Sequence, residues 1–271
     1  MFNISRNGLD AISKELGVVS NNIANSGTTG FKRSRTEFVD FYSKAISDNP
    51  KKQKGLGAFL QGTQKVMQQG APLMTGGALD LTISGRGFFI LSPKEGADPK
   101  FTRDGSFSLD ASGNLITTDG FQVAGYRRMY DGTGINRSQA TPINIPLRIE
   151  NNGRTISLTS INIDPNGNIE TTYGLNTIIK RDQLALAKFS NEAELKSKGA
   201  NTYQATSKSG GQVLGEPLTG SFGEIISGSL ESSNTNILNE MVTLLKTQHA
   251  FNGNARILQT SVDVTRRLME S

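Results

Sequence analysis

His249 is the single histidine of a 271-residue chain that contains no cysteine. One imidazole cannot make a zinc site here. There is no thiolate to join it, and no carboxylate stands three or four residues away on the same helical face. A Ser-His-Asp arrangement built on it would place an active site beside an apolar helical stripe, so His249 is expected as a helix-surface or interface residue. Gly85-Arg86-Gly87 follows one strand-like run and precedes another, and no third glycine falls at the spacing a dinucleotide needs. No GxxxxGKS/T phosphate loop occurs. Asp164-Pro165-Asn166-Gly167-Asn168 invites a calcium reading, but its glycine comes two places early for an EF-hand and no glutamate closes the loop. A turn is expected instead. The separation of paired carboxylates is set by folding, and a chain without tryptophan gives no sign of an aromatic sugar cleft. No catalytic, cofactor-binding or metal-binding residue is assigned, and neither enzyme activity nor a small-molecule substrate is expected.

Bulk properties point the same way. The net charge of +5 comes from 29 Lys and Arg against 24 Asp and Glu. The tightest basic groups, Lys32-Arg33-Ser34-Arg35 and Lys51-Lys52-Gln53-Lys54, form no stripe with interleaved aromatics, so nucleic acid is not an expected partner. Without cysteine a disulfide framework is impossible. No run approaches the roughly 20 apolar residues of a membrane span. The opening MFNISRNGLDAISKELG carries charges where a secretory signal has an apolar core. The chain is therefore expected either to stay in the cytoplasm or to leave it without a cleaved signal. Hydrophobic residues at 35%, with 30 glycines, suit a β-rich body with many turns.

The two ends differ in kind from the middle. Leu9, Ile12, Leu16, Val19 and Ile23 are spaced by three and four, a helical seam of coiled-coil type that stops at the turn cluster Asn25–Gly30. A longer seam runs Ile237, Met241, Leu244, Gln248, Phe251, Ala255, Leu258, Val262, Thr265, Met269, with polar Gln248 and Thr265 interrupting it, and predicts a helix of about 35 residues, roughly 50 Å long. Ser232-Ser233-Asn234 offers N-cap candidates before it. Two readings of the seams stand side by side: a hairpin that closes one domain, or faces that pack on sister copies. Their position at the two extreme ends, flanking a β region, favours assembly. In the middle, Leu79–Ile83, Phe88–Leu91 and Phe101–Leu109 alternate or run apolar as strands do. Leu109–Leu115 and Ile163–Ile169 are two similar turn units with Asp, Gly and Asn between apolar strand ends. Asp48–Gln69, rich in Lys, Gln and Gly, reads as an extended connection.

Three stretches resemble the bacterial flagellar rod and hook family. Leu16–Lys32 contains Asn21-Asn22-Ile23-Ala24-Asn25 and then Thr28-Thr29-Gly30-Phe31-Lys32, similar to that family's NNIAN helix end followed by T-x-G-F/Y-K/R. Leu79-Asp80-Leu81-Thr82-Ile83-Ser84-Gly85-Arg86-Gly87-Phe88-Phe89 resembles its LD-x-x-I-x-G-x-GFF strand pair, with Phe101-Thr102-Arg103-Asp104-Gly105-Ser106-Phe107 following. Gly228-Ser229-Leu230-Glu231-Ser232-Ser233-Asn234 resembles its junction before the C-terminal helix. Gln248-His249-Ala250-Phe251 departs from the family's Q-R-x-F/Y by carrying His for Arg.

The resemblance implies an α+β fold: terminal α-helices forming a coiled coil, with a central all-β domain of short antiparallel strands. The expected division is 1–45 plus 228–271 for the helices, 46–78 for an extended linker, and 79–227 for the outer β domain. The implied role is a structural subunit of the flagellum's axial tube, a helical homopolymer transmitting motor torque. Other rod, hook and junction proteins, a type III export apparatus and a cap chaperone are the implied partners. Export would use no cleaved signal, and no cofactor is implied. Gln183–Asn191, Pro217–Ile225 and Gly125-Tyr126 followed by Pro142–Pro146 lean toward a hook-type subunit, with a basal-body rod protein as the alternative. A stalked β-domain binding module is a rival from another class. The linker is expected to tune stiffness, and aspartate at Leu244 and Leu258 is expected to abolish assembly.

Overall fold

Apolar residues three and four apart wind the start of the chain into helix α1, Phe2–Ala24. It ends where the backbone N–H and side-chain amide of Asn25 both donate to the Asn21 carbonyl, at 3.1 and 2.9 Å. The computed structural model describes residues 2–42, 55–92, 98–128, 134–151, 153–175 and 177–270. The chain divides into two compact units. One is Met1–Ser26, Arg33–Val66 and Thr235–Ser271; the other is Gly27–Lys32 and Met67–Asn234.

The first unit holds α1, the strands β1 (Ser34–Tyr42) and β2 (Gly55–Lys65), and helix α2 (Ile237–Glu270). The 34 residues of α2 match the length expected from its seam. The two helices run antiparallel. Asn22 of α1 reaches Glu240 of α2 at 3.1 Å, and a Cβ on Gly8 would lie 3.5 Å from the Asn254 side chain. The cap of α2 is not the one expected. Asn236 Oδ1 accepts from the Asn239 N–H at 3.1 Å, and its carbonyl accepts from the Glu240 N–H at 3.0 Å. The expected caps are occupied elsewhere: the Ser232 N–H donates to Ala71 and the Asn234 amide to Gln68, each at 2.9 Å.

Strands β1 and β2 pair antiparallel from Ser34 opposite Lys65 to Tyr42 opposite Gly55, with two register shifts, and pack on α1. Residues 55–65 of the stretch expected as linker are thus a strand, while residues 46–54 lie outside the described residues. Polarity misled here, because a two-stranded ribbon needs only one face covered. Gly57, at φ +96°, lets the backbone pass Ile4 of α1.

The second unit is antiparallel β throughout. Its main sheet follows the order β11-β12-β13-β14-β9-β5-β6-β17-β16. The strands are β11 (Arg148–Asn151), β12 (Arg154–Ile163), β13 (Asn168–Tyr173), β14 (Thr177–Leu184), β9 (Gln122–Arg128), β5 (Phe88–Ser92), β6 (Lys100–Thr102), β17 (Thr202–Gln204) and β16 (Lys196–Ser197). Shorter strands β8 (Leu115–Thr117), β15 (Leu186–Lys188) and β18 (Val213–Gly215) pair beside them, and β4 (Leu81–Ser84) pairs with β19 (Glu224–Ser227). Period-two alternation along β5 sends Phe89 and Leu91 into one buried cluster, with Leu81, Ile83, Leu115 and Leu184. Phe88 and Ile90 enter a second, with Phe101, Phe189 and Tyr203. A strand buried on both faces reads as a continuous apolar run, and FFIL does so. The expected strand Phe101–Leu109 is broken into β6 and β7 (Phe107–Leu109). Gly105 turns there so close to Leu81 that a Cβ would sit 1.7 Å from its carbonyl oxygen. The two turn units share one hydrogen-bond pattern. Asp110 and Asp164 each accept from the backbone and side-chain amides of the Asn four residues on, at 2.7–2.9 Å.

Candidate functional site

Gly27–Lys32 leaves α1 as an irregular segment that belongs to the β-rich unit, and it delivers Lys32 into that unit's interior. Gly30 has φ +65°, and a Cβ there would meet the Asp104 nitrogen at 2.6 Å, so the turn requires glycine. The Gly30 N–H donates to the Glu231 carbonyl at 2.7 Å, and Thr29 Oγ1 donates to Asp104 Oδ1 at 3.1 Å. Phe31 is buried, and its carbonyl accepts from the Asn234 N–H at 3.4 Å. Strand β20 (Ser229–Glu231) pairs with β3 (Pro72–Met74) and aims Glu231 at the same point. The β6–β7 turn supplies Arg103.

The three charged side chains meet almost out of reach of water: Lys32 is 1% exposed, Arg103 3% and Glu231 0%. Lys32 Nζ donates to Glu231 Oε1 and, at 2.8 Å, to the Gln68 carbonyl. Glu231 Oε1 also accepts from the Gly70 N–H at 2.8 Å, while Oε2 lies 3.5 Å from Arg103 Nη1. Arg103 Nη2 donates to the Gly85 carbonyl at 2.9 Å, and its guanidinium lies 5.1 Å from the centroid of the Phe88 ring. Burial pulls both Lys32 and Arg103 below their ordinary values despite Glu231 beside them. Glu192, 3.5 Å from Arg86, is near enough to act on both cations as a second counter-charge.

One consequence is a pH signature. The folded chain releases the Lys32 proton below the ordinary value of 10.5, so between those two values the unfolded chain binds more protons. Stability therefore rises with pH in that window. Denaturant unfolding at several alkaline pH values should show wild type gaining on Lys32→Met up to pH 10.5 and holding level above it. A gap that shrinks across the window would refute the assignment.

The motif residues gather around this node. Leu79 packs on the core cluster holding Leu81, and Asp80 accepts from the Thr75 hydroxyl at 2.6 Å while its carbonyl takes the Ser229 N–H at 3.2 Å. Gly85 and Gly87, at φ +115° and +137°, hold the turn whose carbonyl Arg103 grips. Leu230 and Ser233 flank Glu231, half-buried. In the helical unit, Asn22 is buried and exchanges hydrogen bonds of 2.9 Å in both directions with the Ser34 backbone. Asn21 and Ala24 are exposed. Lys32 and Arg103 stand in two of the family-like motifs, but nothing in their spacing assigns them to Glu231.

The helix seams split into covered and bare positions. On α1, Val19 is buried, and Leu9, Ile12, Leu16 and Ile23 are half-buried. On α2, Leu244 and Leu258 are half-buried, whereas Ile237, Met241, Phe251 and Val262 are exposed. The face of α2 turned to α1 carries Glu240 and Thr247, both buried, with Leu244 and Leu258. On another face, Leu238, Met241, Val242 and Leu245 repeat at i, i+3, i+4 and i+7, exposed by 74, 47, 51 and 56%. His249 lies exposed on the same helix. Among the described residues no group of three His, Cys, Asp or Glu is placed to hold a metal, and no helix is long and apolar enough to cross a membrane.

Comparison with known proteins divides along the same lines. The profile of the "Flagella basal body rod protein" family matches residues 2–32, that of the "Flagellar hook protein FlgE/F/G D1 domain" residues 82–171, and that of the "Flagellar basal body rod FlgEFG protein C-terminal" residues 226–270. Lys32, Arg103 and Glu231 fall one in each. The chain is 32% identical to flagellar basal-body rod protein FlgG of Buchnera aphidicola (subspecies Acyrthosiphon pisum) over 279 residues, covering 98% of this chain and 97% of that protein. It is 30% identical to the same-named protein of Bacillus subtilis, over 97% and 95%. With flagellar hook protein FlgE of Helicobacter pylori it shares 40% identity over 189 residues, 66% of this chain and 25% of that protein.

Proposed function

This chain belongs to the bacterial flagellar rod and hook family, and from that membership we propose that it is a rod-type subunit that polymerises helically and passes on motor torque. It is a structural subunit of the flagellar axial structure, and its place is the flagellum. The observation that carries the polymer reading is the bare apolar stripe on α2. Burying one Leu-sized side chain is worth roughly 1.5–3 kcal/mol, so the four residues Leu238, Met241, Val242 and Leu245 supply what exposed ion pairs of 0–1 kcal/mol cannot. Within this reading the exposed seam residues Ile237, Met241, Phe251 and Val262 face neighbouring copies, while Val19, Leu244 and Leu258 hold α1 to α2. The helical ends with strands β1 and β2 form the assembling part, and the β-rich unit is a separate body.

Rod is preferred to hook because alignment with the rod proteins runs through 98% of this chain, against 66% with the hook protein. The higher identity of the hook match, 40%, favours a hook-type subunit as the second reading. The function asked of the chain is mechanical, with no reaction to catalyse. Junction proteins, a cap chaperone and a type III export route complete the proposal. Electron microscopy of cells lacking this chain tests it. Loss of both rod and hook is expected of a rod subunit, and loss of the hook on an intact rod marks a hook subunit. Intact flagella with normal swimming would sink both.

A further inference from the structure

A second concentration of charge lies in the β-rich unit, apart from the Lys32–Arg103–Glu231 node. The second half of β9 and the end of β14 are neighbours in the sheet, with Gln183 opposite Tyr126 and Leu184 opposite Gly125. Their outer ends, together with β10 (Ile135–Pro142) and the loop after it, enclose a cleft of about 570 Å³ lined by Arg127, Arg128, Arg181, Asp182, Asn136, Asn144 and Pro146. Three guanidinium groups share this space with one carboxylate.

Two of those groups are held in place by uncharged partners. Arg181 Nη2 donates to the Tyr173 hydroxyl at 3.1 Å and its guanidinium lies 5.5 Å from the centroid of that ring. Tyr173 in turn donates to the Pro146 carbonyl at 2.8 Å. Arg128 Nε donates to the Arg181 carbonyl at 3.2 Å, and Nη2 reaches Asn168 Oδ1 at 3.4 Å. Among the described residues, none of the three arginines has a carboxylate oxygen within 4.0 Å, whereas Arg33, Arg86, Arg103 and Arg137 each do. Asp182 is already engaged: Oδ1 accepts from the Arg128 backbone N–H at 3.0 Å. Burial raises its carboxyl above the ordinary range against the pull of the three arginines, so it stands in the cleft as a competitor for them. Guanidinium groups fixed beforehand in planar forks match oxyanions, which accept two hydrogen bonds side by side.

We propose that the cleft between β9, β10 and β14 is an oxyanion site that takes a carboxylate or phosphate group on Arg127, Arg128 and Arg181. The group has two possible sources, a free multivalent anion or an acidic side chain of a second copy of this chain. The second source rests on the polymer reading above; the site itself does not. The first experiment titrates the dilute chain with citrate and with inorganic phosphate by heteronuclear NMR, against sodium chloride at matched ionic strength. Saturable shifts at Arg127, Arg128 and Asp182 are expected, absent with chloride. Arg181→Gln should weaken binding about tenfold or more, and Asp182→Asn should tighten it several-fold by removing the competing charge while keeping an acceptor for the Arg128 N–H. Shifts reproduced by chloride alone, or unchanged in both variants, would overturn the site. The second experiment measures the critical concentration for polymerisation of Arg127→Gln. A rise, with citrate inhibiting wild type, assigns the oxyanion to a second copy; an unchanged value alongside saturable citrate binding assigns it to a free anion. Failure to polymerise at all would strike the polymer reading and leave the titration result standing.

Discussion

Glu231→Gln should destabilise the β-rich unit by about 3–5 kcal/mol, the usual cost of removing one partner from a buried ionic group. The substitution keeps the side chain's shape and an acceptor for the Gly70 N–H. What it removes is the single charge placed between Lys32 and Arg103, both nearly out of contact with water. Against a total stability of about 5–15 kcal/mol that is a large fraction, visible as a fall in the urea midpoint with the slope unchanged. The double variant Lys32→Met, Glu231→Gln should recover part of the loss, because one uncompensated cation is removed together with its partner. A midpoint unmoved by Glu231→Gln, or a double variant worse than the sum of the singles, would show that the node is not an electrostatic unit.

Leu238→Asp together with Leu245→Asp should abolish polymerisation and swimming while leaving the free chain folded. Both side chains are largely exposed in the single molecule, by 74 and 56%, so each change should stay within about 0.5 kcal/mol of wild-type stability. In a polymer that covers them, losing two Leu contacts removes about 3–6 kcal/mol, which corresponds to a critical concentration raised by about two to four orders of magnitude. Sedimentation of the purified chain and motility of complemented cells read the two effects separately. Leu244→Asp and Leu258→Asp are the weaker test, since those positions are half-buried in the single molecule and would disturb the chain before it met a neighbour. Normal swimming of the Leu238, Leu245 variant would place the assembly face elsewhere.

Where a short-range rule sufficed, the fold was legible. Spacings of three and four yielded α1 and α2, an apolar run of four yielded β5, and Asp-x-x-Gly-Asn yielded the same turn twice. The rule failed where a distant contact overrode it. Phe101–Leu109 alternates as one strand should, yet Gly105 is pressed against Leu81 and the strand breaks. Ser232-Ser233-Asn234 has the composition of a helix cap, yet those residues are taken by Ala71 and Gln68, and Asn236 caps instead. Residues 55–65 look like a polar linker because the strand they form, and the α1 surface it covers, belong to no local period. The node was visible only as letters in three motifs, since no spacing rule links positions 32, 103 and 231. Likewise the three-and-four spacing along α2 shows one stripe, although the helix has a side turned to α1 and a separate bare one.

The Lys32–Glu231 contact joins positions 199 apart in sequence. Closing a flexible loop of that length costs about 4.7 kcal/mol in chain entropy beyond a constant. Any machine that delivers the polypeptide amino end first, whether a ribosome or a narrow conduit, releases the lysine and the arginine long before the glutamate that neutralises them. Until that last carboxylate emerges, only Glu192 faces the two cations, and the sheet must hold them under-compensated or stay open. The keystone therefore arrives last, and the finished body is one that no conduit of polypeptide width ever has to pass.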